Sequence, residues 1–237
     1  KNMYDVIVVG GGVSGVVAAI ASARNKAKTL LIERYGFCGG TLTNSGVGPM
    51  MTFHAGSEQV VKGIAEEIIE RMKEKGASVG HILDTIGYAS SVTPFDSEQL
   101  KHVLDEMLEE SGCDVLYHTM LAGVNVAEDK IQSIKVCNKA GLSDIEGKIY
   151  IDATGDADLS YFAGVKCRKG RDADNLCQPM TTNVKIGNVD IEKVKKSIVE
   201  DPSNHEIEHV DKLNIIPRLS VAGFIKELET AKKNKDI

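Results

Sequence analysis

Gly10, Gly12 and Gly15 stand in a G-x-G-x-x-G order directly after an apolar run at residues 6–9, and an acid, Glu33, closes the next apolar run at residues 30–32. This set can hold a pyrophosphate without a cation. Gly10 allows a tight turn, Gly12 lets backbone approach the phosphates, and Gly15 lets the following helix lie close to the strand. The helix N-terminus adds free N–H groups and the positive end of a dipole. Ser14 sits on that first turn, and the Glu33 carboxylate can accept hydrogen bonds from ribose hydroxyls. Two further glycine-bearing segments have the same flavour: Gly39-Gly40-Thr41, just after Glu33, and Ala153-Thr154-Gly155, at the end of another apolar run. In a doubly wound sheet, ligands gather beyond the carboxyl ends of the strands, so all three tips would converge on one crevice. A nicotinamide domain needs only the first of them. Three suggest a longer cofactor held along its length.

Other residues offer chemistry with weaker support. His205-Glu206-Ile207-Glu208-His209 matches H-E-x-x-H, which on a helix would bring two imidazoles to one face for zinc. Glu208 and the preceding Pro202 argue instead for a solvated, charged turn, and no metal is expected. Cys38 lies beside the second glycine segment, but no resolving cysteine or basic partner stands near it in sequence, so it reads as a packed thiol. Cys167 and Cys177 flank a run holding Arg168 and Arg171, which reads as a charged loop. His54 is the one candidate for proton transfer near the cofactor.

These residues need elements to position them. Residues 4–9, 28–33 and 114–118 read as parallel strands, and residues 14–25 as a helix whose small face holds Gly15, Ala18, Ala19 and Ser22. Residues 34–57 are irregular. A helix is expected over 58–75 on the stripe Val61, Ile64, Ile68 and Met72. Asp96 caps another helix with Gln99 three residues on, carrying Leu100, Val103, Leu104, Met107 and Leu108 at i, i+3, i+4, i+7, i+8. Gly112 ends it. Three antiparallel strands are expected at 121–127, 131–137 and 144–150, before a strand that ends at Asp152. A helix is expected at 156–163, a strand at 180–186, and helices at 190–199 and 219–233.

Residues 6–33, Gly39-Gly40-Thr41 and residues 152–158 resemble the FAD-dependent oxidoreductases of the glutathione-reductase-type flavoproteins, near the fumarate reductase and succinate dehydrogenase flavoprotein subgroup. The resemblance runs from residue 4 to about 163. It implies that Gly10, Gly12, Ser14 and Gly15 hold the pyrophosphate of FAD and that Glu33 holds the adenosine ribose, with Arg34 on the adenosine side. Gly39, Gly40 and Thr41 would lie along the pyrophosphate and ribityl chain. Val124 would touch adenine by its backbone, and Ala153, Thr154 and Gly155 would close over the nucleotide. Lys26 departs from the family, which usually has glycine there. A left-handed backbone at Lys26 would be strained unless Asn25 takes it instead. Members also usually return to the cofactor domain near their C-terminus, and no such return is found here.

The fold expected is α/β: a Rossmann-like FAD/NAD(P)-binding domain with a three-stranded antiparallel excursion at residues 1–164, then the start of a second α+β domain at 165–237. That second part is read as a partial substrate or cap domain, cut short relative to the family. The expected activity is hydride transfer between a small organic substrate and FAD. The alternatives are an NAD-dependent oxidoreductase using the first glycine motif alone, or a truncated nucleotide-binding domain that another chain completes. A net charge of -6 excludes an ordinary nucleic-acid binder. No apolar run approaches the roughly 20 residues that span a bilayer. Five cysteines with no C-x-x-C pair suggest reduced thiols and a cytoplasmic setting. A small-molecule substrate is the expected partner, with a homo-oligomer or a completing chain beside it.

Overall fold

The computed structural model describes residues 3–236. In chain order the elements are β1 (Tyr4–Val9), α1 (Val13–Arg24), β2 (Thr29–Ile32), α2 (Thr41–Asn44), β3 (His54–Ala55), β4 (Glu58–Gln59), α3 (Ile64–Glu74) and α4 (Ser97–Ser111). There follow β5 (Asp114–Leu116), β6 (Met120–Ala127), β7 (Lys130–Asn138), β8 (Gly141–Ile145), β9 (Gly147–Asp152), α5 (Asp158–Phe162), α6 (Ile191–Glu200), β10 (His205–Glu206), β11 (Ala222–Gly223) and α7 (Ile225–Asn234). The chain divides into two compact units. One takes the residues up to Val47 and then Asp96–Asn183; the other takes Gly48–Phe95 and the residues from Val184 on. The domain order expected from sequence, 1–164 then 165–237, runs along the chain, whereas this grouping joins segments distant in sequence.

The first unit is built on a parallel sheet in the order β5-β2-β1-β9. Its register decides where the site lies. Val9 pairs with Ile32 and with Asp152, and Ile32 pairs with Leu116, so the carboxyl ends of the strands finish level. Alternation along the strands gives each face its own cover. Ile7, Val9, Leu30 and Ile32 form one buried cluster with Ile134 and Val136 of the antiparallel sheet β6-β7-β8. Val8 and Leu31, of the opposite parity, are fully buried toward the helical side, where α1 meets β1, β2 and α4. Burying each such aliphatic side chain contributes roughly 1.5–3 kcal/mol. The fold is thus the expected α/β one, with the antiparallel excursion as a separate layer.

Several element boundaries differ from expectation, each for a local reason. The buried face of α1 is Gly15, Val16, Ala19, Ile20 and Ala23, not the Ala18 and Ser22 side, because the larger apolar side chains Val16 and Ile20 bury more surface than Ala18 and Ser22; the Ser22 hydroxyl donates to the Ala18 carbonyl at 2.8 Å. The antiparallel ladder stops at Ile145, short of the expected 150. A Cβ at Gly147 would stand 2.8 Å from Ile7 Cδ1, so glycine there lets the chain cross into the parallel sheet as β9. Lys26 does take the left-handed backbone, at φ 70, while Asn25 stays at φ -85.

The second unit has only short ladders. The helix expected from residue 58 begins at Ile64: the N–H groups of Val60 and Val61 bond the Phe53 carbonyl, and Gly63 at φ 72 breaks the backbone. Ile68, Ile69 and Met72 form its buried side. Bridges join Met50 to Thr93, Ser78 to Phe95 and Ile82 to Val92. The last helix also starts later than 219, because Ala222 and Gly223 pair with Glu206 and His205. Residues 180–186 form no strand; Met180 is 98% exposed.

Candidate cofactor-binding site

The level strand ends place Gly10, Glu33 and Ala153 side by side. Gly10 N–H donates to the Ile32 carbonyl at 2.8 Å, Ala153 N–H to Val9 at 2.9 Å and Glu33 N–H to Leu116 at 2.9 Å. Beyond them opens a cavity of about 700 Å³, within the range of small-molecule sites. Gly10, Gly12, Ser14, Glu33, Arg34, Gly39, Gly40, Thr41, Ala153, Thr154 and Gly155 all line it. Three tips far apart in sequence therefore meet at one crevice.

The glycines of the first loop do different jobs. Gly10 lies at φ 102, and a Cβ there would come within 2.5 Å of the Ala153 carbonyl oxygen. A Cβ at Gly15 would stand 1.8 Å from the Gly10 carbonyl oxygen, so α1 could not lie this close to β1 with any other residue. Gly15 therefore serves packing and does not itself line the cavity. Gly12 differs from both. Its φ of -65 and ψ of 176 suit any residue, and a Cβ there would meet nothing nearer than Gly40 Cα at 3.9 Å. Neither fold nor backbone requires glycine at position 12; the empty space it leaves belongs to the cavity. Gly12 also caps α1 with no side-chain bond, and the first turn carries no acid. The orphan N–H groups of that turn are free to face an anion.

Glu33 is tied into the loop. Its Oε2 accepts from Gly11 N–H at 2.6 Å and its Oε1 from Tyr35 N–H at 2.8 Å, with the side chain 6% exposed. Each oxygen keeps a lone pair for a further donor. Arg34 is the one cation among the cavity-lining residues and stacks over the Tyr35 ring at 4.9 Å. Backbone donors, not side-chain cations, are thus the main resource for a phosphate here. Gly39 and Gly40 have φ of 113 and 56, and the Thr43 hydroxyl donates to the Cys38 carbonyl at 2.7 Å to hold the bend.

At the third tip, Asp152 organises the turn. Its Oδ1 accepts from Thr154 N–H at 3.1 Å and the Thr154 hydroxyl at 2.7 Å; its Oδ2 accepts from Ser160 N–H at 2.8 Å and the Ser160 hydroxyl at 2.7 Å. Partial burial raises its carboxyl, but these bonds outweigh it and hold the group below the ordinary aspartate value. Thr154 Oγ1 in turn accepts from Asp158 N–H at 2.7 Å.

Val124 does not line the cavity. It pairs with Ile134 in the antiparallel sheet and packs its side chain against the core. Thr119, Met120 and Leu121, at the start of the same strand, line the cavity instead. Sequence reasoning missed them. Their signal is position: Thr119 N–H bonds the Glu33 carbonyl at 3.0 Å, which brings the end of β2 against the entry to β6.

The other candidates fall elsewhere. His54 lies in the second unit, its Nδ1 2.9 Å from Ser91 Oγ. The H-E-x-x-H run is not helical: His205 and Glu206 form β10, and His205 is buried against Phe224, which corrects the expectation of a solvated turn. No cluster that could hold a metal occurs among the described residues. Cys38 is fully buried, and burial pushes its thiol up to about 12.

A parallel sheet with its glycine-lined crevice, an antiparallel layer on one face and helices on the other defines a dinucleotide-binding fold. The chain belongs to the FAD dependent oxidoreductase family, whose model matches residues 5–231. It is 27% identical over 163 residues to the dihydrolipoamide dehydrogenase of Chaetomium thermophilum, spanning 68% of this chain and 30% of that protein. It is 30% identical over 160 residues to the thiamine thiazole synthase of Methanococcus vannielii, spanning 64% and 56%. A geranylgeranyl bacteriochlorophyll reductase-like structure from Thermoplasma acidophilum matches in fold at a TM-score of 0.50 and 22% identity, over 70% of this chain and 43% of that one. The chain thus spans between about a third and just over half the length of the relatives named here. The family's cofactor, FAD, fits the crevice: the gap at Gly12, the uncapped helix turn and the free acceptor capacity of Glu33 suit a pyrophosphate flanked by a ribose.

Proposed function

We propose that this protein is an FAD-dependent oxidoreductase that transfers a hydride between a small organic substrate and the flavin. The observation that carries the reading is the space beside Gly12, which neither backbone geometry nor packing explains. Bound FAD supplies the hydride chemistry, and the protein supplies binding and orientation. Gly10, Gly12 and Ser14 are assigned to the pyrophosphate side, with Gly15 setting the helix in place behind them. Glu33 is assigned to the ribose and Arg34 to the adenosine side. Gly39, Gly40 and Thr41 are assigned to the pyrophosphate and ribityl chain, and Ala153, Thr154 and Gly155 to closure over the nucleotide. The adenine contact is assigned to the Thr119 to Leu121 stretch as well as to the Val124 backbone.

Residues 165–237 are proposed as part of a substrate or cap domain, with His54 as the candidate for proton exchange. A small-molecule substrate, a cytoplasmic setting and a homo-oligomer or completing chain belong to the same reading. Among the described residues no helix is long and apolar enough to cross a membrane.

The test is the visible absorption spectrum of the purified protein, followed by chromatography of the heat-released supernatant against FAD, FMN and NAD standards. Released FAD, or uptake of added FAD by a colourless preparation, supports the reading. Released NAD, or no uptake of any of the three, overturns it.

A further inference from the structure

We infer that Tyr117 is a positioning residue for the cofactor: through Cys38 it holds the second glycine loop against the first, and so sets the gap beside Gly12. The inference rests on the reading of that crevice as an FAD site, and its first readout needs no FAD.

The gap has two walls within the first unit. One is the first loop at Gly12. The other is the second loop, whose Gly40 Cα is the nearest atom, at 3.9 Å, to a Cβ built on Gly12. Gly39 N–H donates to the Gly11 carbonyl at 2.9 Å, and Gly12 and Gly39 form an isolated bridge. So short a seam needs a side chain to brace it. Cys38, the residue before Gly39, is fully buried, and a Cβ on Gly11 would come within 2.9 Å of its Sγ. Gly11 N–H in turn donates to Glu33 Oε2 at 2.6 Å. The sulfur therefore packs where both loops and the ribose-side acid meet.

Tyr117 holds that sulfur from behind. Its own backbone is pinned on either side: Glu33 N–H bonds the Leu116 carbonyl at 2.9 Å, and the N–H groups of His118 and Thr119 bond the carbonyls of Tyr35 and Glu33, each at 3.0 Å. The phenol has one proton, which it donates to the Asp105 carboxylate on α4 in a charge-assisted bond. Its oxygen stands 3.5 Å from Cys38 Sγ. Burial pushes the Cys38 thiol up to about 12, so it keeps its proton beside that oxygen. α4 reaches the same loop a second time. Lys101, one turn before Asp105, lies over the Phe37 ring at 4.0 Å. Neither residue belongs to the buried stripe of α4. Two side chains beside that stripe thus grip Phe37 directly and Cys38 by way of Tyr117.

The same unit holds a matched bond that does not serve the loop. The Tyr4 hydroxyl donates to Asp114 Oδ2 at 2.9 Å, between the first residues of β1 and β5, next to the other buried thiol, Cys113.

The test compares Tyr117→Phe with Tyr4→Phe in the full chain. Each variant removes one hydroxyl from a tyrosine–aspartate bond. A fall in global stability alone would speed alkylation of Cys38 and Cys113 together. In FAD-free protein, Tyr117→Phe should raise the labelling rate of Cys38 relative to Cys113 by up to roughly tenfold, and Tyr4→Phe should not raise it. Asp105→Asn, which keeps an acceptor for the phenol, should hold the ratio of the unmodified protein. FAD titration should then show weaker binding by a similar factor for Tyr117→Phe and unchanged binding for Tyr4→Phe. An unchanged thiol ratio in Tyr117→Phe, an equal rise in Tyr4→Phe, or a raised ratio with FAD affinity intact overturns the inference. Failure of the unmodified protein to bind FAD counts against the cofactor reading instead, and the thiol ratio then decides alone whether Tyr117 holds the loop.

Discussion

The two units hold their shape by different means. In the first, apolar strands are covered on both faces, and the polar chemistry gathers at one edge. In the second, ladders of two residues are supplemented by buried polar side chains. Asp84, 3% exposed, accepts from the N–H groups of Ile86, Tyr88 and Ala89 at 3.2, 2.9 and 3.0 Å. Asn204 bonds Lys226 N–H at 2.8 Å and Glu227 at 2.9 Å, and the Thr85 hydroxyl bonds the Ser220 carbonyl at 2.7 Å. A site in the first unit is recognised by what is left out, such as a side chain at Gly12.

This contrast can be broken by substitution. The largest effect is expected at Gly15→Val. With a Cβ forced to 1.8 Å from the Gly10 carbonyl, the first unit should lose roughly 3 kcal/mol or more, seen as a large fall in thermal midpoint. Gly12→Val should behave oppositely. Its stability should stay within about 0.5 kcal/mol, while FAD affinity should fall by roughly a hundredfold, or about 2.7 kcal/mol. Equal effects at the two glycines would erase the distinction between a packing glycine and a binding one. Calorimetry beside flavin titration separates them.

Next come the two aspartates, one in each unit. Asp84→Ala strands three N–H donors and should cost about 1–3 kcal/mol in denaturant unfolding. Asp152→Asn should cost a similar amount, and it carries a pH signature. The folded Asp152 carboxyl titrates below its unfolded value, so its contribution is fully present above the unfolded value of about 3.9. It is lost as pH falls through the folded value. The variant should therefore flatten the acid limb of the stability curve below about pH 4; an unchanged limb would mean that the four bonds do not hold the turn. The smallest effect is a gain: Lys26→Gly relieves a left-handed lysine at φ 70 and should stabilise by about 1 kcal/mol.

Legibility followed the same divide. β1 and β2 could be read from the sequence as continuous apolar runs and α1 as the helix after the glycine turn, though not its buried face; the stripe of α4 could be read because its apolar period matches one packing face, and Asp96 caps α4 by accepting from the N–H groups of Glu98 and Gln99. The three loop tips were legible as well, since glycine at a strand end has few other uses. The cavity-lining stretch Thr119 to Leu121 at the start of β6 was not legible, because a strand's periodicity fixes its faces and not which end reaches a cavity. Ser91, Thr93 and Glu66, which bond His54 and His81, left no mark at all. Hydroxyls and a carboxylate scattered over residues 52–93 become a network only when bridges such as Met50 to Thr93 align them.

The five cysteines are divided between surface and core in a way that reports on the first unit itself. Cys137, Cys167 and Cys177 are exposed, while Cys38 and Cys113 are buried, with burial pushing both thiols up to about 12. An alkylating reagent at neutral pH should add three labels quickly to the native chain. The fourth and fifth must wait for the sheet and α4 to part, so their rate of appearance in a mass spectrum times the opening of the cofactor-binding unit, and bound cofactor should slow that clock alone.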